Sequence, residues 1–313
     1  MYYFIINPAS RSGKGQKIWN NIEKELIKRE VPYQAVLSHT ARSIPSLTAE
    51  ITKTASKENP VTLIILGGDG TVNEVLCGIT DFQYVTLGYI PTGSSNDLAR
   101  DLSIPSNPQK ALDVILSSHQ ITKMDVGTLT YDDIPSAPRH FCVSCGIGFD
   151  AAVCYHVNHS RSKQLFNKIG LGKLIYLWIA LCQIFSAPKV SCNMYLNDNP
   201  VPIRLPNFLA IISMIHQYEG GGFKFCPHAD YSDGIFSICS IGDLPKWKIL
   251  TCLPTAFFGT HYMVKEIQAY SADTIRLQTS LPLFVHTDGE VMQKSSSITL
   301  TCHKQAINFI TVQ

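Results

Sequence analysis

The sequence has little excess of charge of one sign, with 26 Lys and Arg against 24 Asp and Glu and a formal net charge of +2. A nearly neutral chain has no overall field that would attract nucleic acid, so we expect no nucleic-acid partner. Only 16% of the 313 residues are charged and 45% are hydrophobic. This composition excludes a disordered chain and allows a sizeable core.

The sequence also lacks the segments that would direct it into or across a membrane. Met1 is followed at once by an apolar, strand-like run, without the basic region and apolar region of a signal peptide. The longest apolar run, residues 174–185, is well short of the roughly 20 residues that a membrane-spanning helix needs. We therefore expect a cytoplasmic protein.

Cysteine is present, but not in a pattern typical of disulfides or zinc. The ten cysteines mostly lie inside apolar runs, and the chain is too long for a small disulfide-rich scaffold. Cys142 and Cys145 form a CxxC without a second pair at zinc spacing. We expect free thiols in a reducing compartment.

Residues 1–125 alternate short apolar runs with stretches of helical periodicity. The strand-like runs are Tyr2–Ile6, Val61–Leu66 and Val85–Ile90. Helical spacing is found at Ile18, Trp19, Ile22 and Leu26, and over Thr71–Ile79, Ser95–Leu102 and Pro108–Leu116. Strands that alternate with helices predict βαβ units, and hence an α/β domain with a parallel sheet.

Residues 126–313 have a different pattern, with many alternating segments separated by turn residues. These segments are Val190–Leu196, Phe208–Met214, Gly234–Ile241, Thr274–Leu277, Ser297–Thr301 and Ile307–Val312. They predict a mostly antiparallel β domain whose last strands can return toward the first domain. The apolar run Phe208–Met214, if it lay at a sheet edge, would support a homodimer.

Gly67–Thr71 lies between a predicted buried strand and a predicted helix. Glycines at such a turn let backbone N–H groups approach phosphate oxygens, and the helix N-terminus favours an anion. Asp69 would repel a phosphate unless a metal ion lay between them. The alternative is a simple turn in which Asp69 or Thr71 caps the helix. The sequence fits neither a Walker A loop nor a dinucleotide fingerprint.

Two further loops are expected at the same edge of the sheet. In Pro91–Arg100, Ser94 can donate to a phosphate, Asp97 can hold Mg²⁺ through water, and Arg100 follows one turn later. The alternative for that segment is a helix capped by Ser95. Asn7–Gly15 is a third small, basic turn. Together the three loops predict a cleft for a nucleoside triphosphate.

In these motifs the sequence resembles the diacylglycerol kinase catalytic family, which includes bacterial lipid kinases and the sphingosine and ceramide kinases. The resemblance covers essentially the whole chain. It is carried by Asn7-Pro8-x-Ser10-x-x-Gly13, Gly67-Gly68-Asp69-Gly70-Thr71-Val72-Asn73-Glu74, Pro91-x-Gly93-Ser94-x-Asn96-Asp97-x-Ala99-Arg100, Asp125-x-Gly127, Gly146-x-Gly148-Phe149-Asp150, Pro227-x-Ala229, Asp233-Gly234 and Asp288-Gly289-Glu290. The loop Gly67–Thr71 by itself also occurs in NAD kinases and phosphofructokinases. Ser94 replaces the usual threonine and keeps the hydroxyl.

The resemblance implies a fold and an activity. The fold would be an NAD kinase/phosphofructokinase-like α/β domain followed by a β-sandwich domain. The activity would be ATP-dependent phosphorylation of a lipid hydroxyl, with diacylglycerol as the leading acceptor. Phosphatidylglycerol, a sphingoid base or ceramide are alternative acceptors. An NAD kinase-like enzyme, or a lipid- or nucleotide-binding protein without catalysis, are the alternative functions.

The resemblance also implies roles for particular residues, with ATP and Mg²⁺ as ligands. Residues 67–73 would wrap the ATP phosphates, while Asp69 and Asp97 organise Mg²⁺, and Lys14 and Arg100 neutralise phosphoryl charge. Further nucleotide contacts would come from Ser10, Thr40 and Ser94, and the same motifs include Asn7, Gly13, Gly67, Gly68, Gly70, Thr71, Asn73, Glu74 and Asn96. Taken alone, Thr40 is typical of a helix cap.

Two later segments would complete the enzyme. Glu290 matches the glutamate that acts as general base on the lipid hydroxyl, although Asp288-Gly289-Glu290 alone is a plausible hairpin turn. Asp233 would give a carboxylate, and Asp230 and Ile235 backbone carbonyls, to a structural Mg²⁺. The alternative for that segment is a hairpin without an ion.

Residues 161–173 are basic and contain aromatic and aliphatic side chains. Arg161, Lys163, Lys168 and Lys173 flank Leu165, Phe166, Ile169 and Leu171. Such a stretch can lie on an anionic membrane surface and collect a lipid substrate, which predicts transient membrane association. The alternative is a helix that packs on the β domain and keeps its lysines in solvent.

Overall fold

The computed structural model describes residues 1–38, 43–117, 120–160, 179, 182–183, 188 and 190–312. The chain forms two compact units. The first comprises Met1–Met124 with Gln305–Gln313, and the second comprises Asp125–Lys304.

The first unit contains a parallel sheet whose strands run in the order β2–β1–β3–β4, followed by the end of β14. Its own strands are β1 Tyr2–Ile6, β2 Tyr33–Leu37, β3 Val61–Gly67 and β4 Val85–Pro91. Its helices are α1 Ser10–Gly13, α2 Gly15–Lys28, α3 Ile44–Thr52, α4 Asp69–Leu76, α5 Asp97–Asp101 and α6 Pro108–Ser117. The strands that the sequence predicts for this unit are all present.

Burial explains why these segments pair in this way. In β3, residues 63–67 are all buried, as expected for a strand covered on both faces of a parallel sheet. Helix α2 turns its apolar face inward, and the Trp19 ring packs on Phe4 of β1 with ring centroids 5.3 Å apart. Of the residues predicted at helical spacing in α2, Trp19, Ile22 and Leu26 are buried and Ile18 is half-buried.

The second unit is built from antiparallel strand pairs. One path runs β12–β11–β10–β7–β13–β14, β8 pairs with β13 and β9, and β5 pairs with β14 and β6. The strands are β5 Ile121–Tyr131, β6 Arg139–Phe141, β7 Ser144–Gly148, β8 Val190–Leu196, β9 Ile203–Phe208, β10 Ala210–Met214, β11 Phe236–Ile241, β12 Ile267–Ala272, β13 Thr274–Thr287 and β14 Glu290–Ile310. The helices are α7 Phe149–His159 and α8 Lys246–Phe257, and His261–Met263 forms a short 3₁₀ turn.

This architecture confirms the predicted fold class and corrects three details. Ser297–Thr301 and Ile307–Val312 are not separate strands, because both lie in the single strand β14, which contributes to both units. The predicted strand Phe208–Met214 is divided at Leu209 between β9 and β10. Strand β10 is hydrogen-bonded to β7 and to β11, so it is not an edge strand. An exposed strand edge therefore no longer supports the predicted homodimer.

All ten cysteines carry free thiols, of which Cys142, Cys145, Cys192, Cys226 and Cys239 are buried, whereas Cys182 is exposed. Within the part of the chain that is described, no helix combines the length and the apolar character needed to cross a bilayer.

Candidate active site

In the first unit, the loops that follow β1, β3 and β4 lie side by side because those three strands are neighbours in the sheet. The Asn7 amide donates to Thr71 Oγ1 (3.2 Å), and the hydroxyls of Ser10 and Thr92 lie 2.8 Å apart. The backbones of Gly68 and Gly93 approach so closely that a Cβ on Gly93 would lie 2.6 Å from Gly68 Cα. The structure thus brings the three predicted loops together.

Asp69 and Asp97, the two candidate metal ligands, are joined at the start of α4 and α5 by a hydrogen bond between the Asp69 side chain and the Asp97 backbone. Helix α4 begins at Asp69, whose Oδ2 accepts the backbone N–H of Asp97 at 3.0 Å. The Asp97 side chain is buried, and its Oδ1 forms an ion pair with the Arg100 guanidinium at 3.3 Å. The half-buried Asp69 carboxylate and the Asp97 carboxylate are hard oxygen donors, and such donors fit Mg²⁺ bound to phosphates.

Asn96 and Tyr89 shape the loop after β4. Asn96 has a left-handed backbone (φ 51°), and its side chain closes a turn by accepting the N–H of Gly93 (2.8 Å) and donating to the Gly93 carbonyl (3.0 Å). The Tyr89 hydroxyl lies 3.2 Å from Asn96 Oδ1 and 3.4 Å from Asp69 Oδ1.

Helix α5 begins at Asp97, so Ser95 does not cap it. Similarly, α4 has Gly68 at its N-cap rather than Asp69 or Thr71.

Tyr89 and Thr92 are absent from the sequence-predicted site, although both contact it. Thr92 lies inside the motif Pro91-x-Gly93 at a variable position, so no pattern selects it. Tyr89 belongs to a fully buried run of β4, where an aromatic residue predicts core packing rather than a polar contact.

The remaining residues predicted to contact the nucleotide in the first unit differ in how far they are buried. Asn73 is fully buried on α4 and Glu74 is half-buried, whereas Ser94, Gly13 and Lys14 are exposed. Gly13 has φ 86°, and a side chain at Gly67 would overlap Thr71. Lys14 lines a surface pocket with Arg11, Lys17, Ile18 and Asn21. Gly70 is half-buried in the first turn of α4. Thr40 lies outside the described residues, as does the basic stretch 161–173.

In the second unit, the predicted metal loop 230–235 is a partly exposed turn that a hydrogen bond to Asp125 holds in place. Asp233 Oδ1 accepts the N–H of Ile235 at 2.9 Å, and Asp230 Oδ1 accepts both the N–H and the hydroxyl of Ser232. The fully buried Asp125 accepts the N–H of Gly234 at 2.7 Å. Exposed carboxylates beside backbone carbonyls are hard oxygen donors, and this composition fits Mg²⁺.

Glu290 opens β14 directly after a two-residue hairpin turn. Asp288 and Gly289 both have positive φ (49° and 82°), as a type I′ turn requires. The Asp288 carboxylate accepts the N–H groups of Cys142, Val143 and Ser144 at 3.1, 2.8 and 2.9 Å. Asn158 donates to the Gly289 carbonyl at 3.0 Å. These contacts fix the backbone on which the half-buried Glu290 lies.

Next to this hairpin lies a triad of His286, Asp150 and Glu219 that the sequence analysis did not identify. His286 Nε2 is 2.9 Å from Asp150 Oδ2 and 3.2 Å from Glu219 Oε1, and its side chain is fully buried. Burial opposes the charged imidazole, but Glu219 and Asp150 outweigh it and raise the pKa of His286 to about 9. The N–H of Gly289 lies 3.2 Å from His286 Nδ1 and can donate to it only when that nitrogen is unprotonated.

The triad has the composition of a metal site. The three ligand atoms lie within 4.8 Å of one another. A metal on Nε2 would place the imidazole proton on Nδ1, and the charged imidazole also carries a proton there; in either state the Gly289 N–H loses its acceptor. In the sequence, the motif Gly146-x-Gly148-Phe149-Asp150 is the signal that leads toward this triad. Its Gly146 leaves room for the pair, because a side chain there would overlap Asp150 Oδ2 and His286 Nε2.

Comparisons with known proteins agree with this architecture. Residues 1–129 match the diacylglycerol kinase catalytic domain, and residues 143–311 match the YegS C-terminal NAD kinase beta sandwich-like domain. A diacylglycerol kinase of Staphylococcus aureus (strain Newman) is 40% identical over 278 residues, which are 85% of this chain and 82% of that protein.

Two solved structures share the fold. A diacylglycerol kinase from Bacillus anthracis str. Sterne gives a TM-score of 0.68 at 16% identity, covering 99% of this chain and 96% of the other. An NAD kinase from Archaeoglobus fulgidus in complex with ATP gives 0.52 at 13% identity, covering 99% and 94%. The chain therefore belongs to the diacylglycerol kinase catalytic family of bacterial lipid kinases, as its motifs predicted.

Proposed function

We propose that this lipid kinase transfers the γ-phosphoryl group of ATP to the free hydroxyl of diacylglycerol, producing phosphatidic acid and ADP. The observation that carries the proposal is the meeting of the loops after β1, β3 and β4, with Asp69 bonded to the N–H of Asp97. The relative from Staphylococcus aureus, which bears the name diacylglycerol kinase, supports diacylglycerol as the acceptor.

The first unit supplies nucleotide binding in this proposal. Close approach of Gly68 to Gly93 keeps side chains away from the place where phosphate oxygens would contact backbone N–H groups. Further nucleotide contacts are assigned to Asn7, Ser10, Gly13, Lys14, Thr40, Gly67, Gly70, Thr71, Asn73, Glu74, Ser94, Asn96 and Arg100. Asp69 and Asp97 would hold Mg²⁺, which neutralises charge on the transferring phosphoryl group.

The second unit supplies the base. Glu290 accepts the proton of the lipid hydroxyl while the hydroxyl oxygen forms its bond to the γ-phosphorus and the bond to the leaving oxygen of ADP breaks. The rigid Asp288–Gly289 turn supports this role because a base must be held in a fixed orientation. Asp230, Asp233 and Ile235 would bind a structural Mg²⁺.

The acceptor is tested by supplying labelled ATP with candidate alcohols in mixed micelles. Diacylglycerol, phosphatidylglycerol, sphingosine and ceramide are compared, with NAD as a soluble control. Diacylglycerol should give the highest kcat/KM. Preferred phosphorylation of another lipid would replace the acceptor, whereas preferred phosphorylation of NAD would refute lipid phosphorylation as the activity. Transfer to water alone would refute the assignment of a lipid acceptor.

A further inference from the structure

Helix α8 and the turn after it expose large apolar side chains to solvent. Trp247 is 64% exposed, Phe258 79% and Met263 89%, and Leu250 and Phe257 are also exposed. Exposed apolar residues are ordinary when they are scattered, whereas a group on one element marks an interaction surface.

The spacing places most of these residues on one side of the helix. Trp247, Leu250, Pro254 and Phe257 follow the series i, i+3, i+7 and i+10, and Phe258 is the next residue. The opposite side is anchored in the second unit, since Ile249 and Ala256 are buried and Ile249 belongs to a hydrophobic cluster. The exposed residues Trp247, Leu250, Pro254, Phe257, Phe258 and Met263 are called the α8 face below.

The α8 face is held by contacts of both backbone and side chains. The Phe257 ring stacks on Phe223 with centroids 3.8 Å apart, and the N–H of Lys224 donates to the carbonyl of Ala256 at 2.8 Å. Lys248 forms an ion pair with Glu266 at 2.9 Å. A helix fixed in this way presents its apolar side chains without first having to fold.

The charge of the segment indicates what it contacts. Residues 243–266 contain three lysines (246, 248 and 265) against Asp243 and Glu266, and Glu266 is paired with Lys248. Lys265 is exposed beside the α8 face. Tryptophan, phenylalanine and leucine on one side, with an exposed lysine alongside, are typical of helices that lie in the interface of an anionic bilayer.

We propose that the α8 face docks on an anionic membrane surface, from which the enzyme draws its lipid substrate. This inference rests on the proposed function, because a two-chain lipid stays in the bilayer and the enzyme must come to it. It concerns a different segment from residues 161–173, on which the sequence-based prediction of membrane contact was made.

Vesicle binding by the full chain tests the proposal. The probes are vesicles of phosphatidylcholine containing phosphatidylglycerol, and the variant is Trp247→Ser combined with Phe258→Ser. Ile27→Ser is the matched control, because Ile27 is also 64% exposed but lies on α2 of the first unit. The double variant should bind vesicles about 10–100-fold more weakly, whereas the control should bind like the wild type. Equal binding by all three proteins would overturn the proposal.

A second measurement separates docking from catalysis and from self-association. With a soluble short-chain diacylglycerol, the double variant should keep wild-type turnover, because its substitutions lie outside the proposed site. No activity in any protein, together with loss of vesicle binding in the double variant alone, would refute the proposed function but support docking. A wild-type dimer in sedimentation that the double variant dissociates, with vesicle binding unchanged, would instead assign the face to a second copy of the chain and overturn the proposal.

Discussion

Substitution of Asp69 by asparagine and by alanine separates a role in binding Mg²⁺ and phosphate from a role in bracing the loops. The Asp69 carboxylate accepts the N–H of Asp97 at 3.0 Å, and the Tyr89 hydroxyl lies 3.4 Å away. Asparagine keeps an oxygen that can accept the Asp97 N–H but removes the charge. Alanine removes both. The two variants should therefore differ in stability and agree in activity.

The magnitudes follow from these contacts. A hydrogen bond to a charged acceptor contributes about 1.5–3 kcal/mol, and the long Tyr89 contact adds little. Since Asp69 is only half-buried, Asp69→Ala should lower the free energy of unfolding by about 1.5–2 kcal/mol, and Asp69→Asn by less than about 1 kcal/mol. Turnover should fall about 100–1000-fold in both, because each loses a charge that stabilises phosphoryl transfer.

Urea unfolding and steady-state kinetics with saturating Mg·ATP provide the two measurements. Asp81→Ala is the matched control, since Asp81 also lies in the first unit and accepts one backbone N–H, that of Gln83, at 2.9 Å. It should lose stability and keep turnover. Wild-type turnover in Asp69→Asn, with activity lost only in the less stable alanine variant, would show that Asp69 braces the loops and would refute the metal assignment.

Three other predictions concern the second unit. Glu290→Gln should lower single-turnover phosphorylation of a soluble diacylglycerol about 100–10,000-fold with little change in ATP affinity, and equal rates would remove Glu290 from the mechanism. Asp233→Ala should abolish a rise in melting temperature that Mg²⁺ produces in the wild type; an identical response in both proteins would place no ion in the loop. His286 has a raised pKa, so its contribution to stability is complete below the unfolded pKa of about 6.5 and is lost as the pH rises through about 9. The free energy of unfolding in urea should fall over this pH range in the wild type but not in His286→Gln. The same pH dependence in both proteins would refute the contribution of His286.

The parallel sheet could be predicted closely because burial leaves a simple pattern. The run Val61–Leu66 agrees with β3 to within one residue, and Val85–Ile90 agrees equally well with β4. A strand covered on both faces is apolar throughout, and turn residues mark its ends. The same reasoning located the three loops, since the carboxyl ends of neighbouring parallel strands lie at one edge.

Strand β14 shows where a local pattern misleads. Residues His303, Lys304 and Gln305 are exposed, and Gln305 has φ 48°, so the alternation breaks there as it would at a turn. The structure continues as a strand because Asn308 and Phe309 pair with Thr86 and Leu87 of β4, more than two hundred residues earlier in the chain. Such pairing is decided by distant partners, which local alternation does not record.

The triad of His286, Asp150 and Glu219 could not have been found from spacing, because its members come from three distant segments. Each residue taken singly is typical of a solvated side chain, and only the fold brings them together. Gly146 carries the one trace in the sequence, since any side chain there would overlap the His286–Asp150 pair. A glycine that neither turns the chain nor binds a phosphate thus indicates space that other residues occupy. Here that space holds the charges beside the hairpin of Glu290.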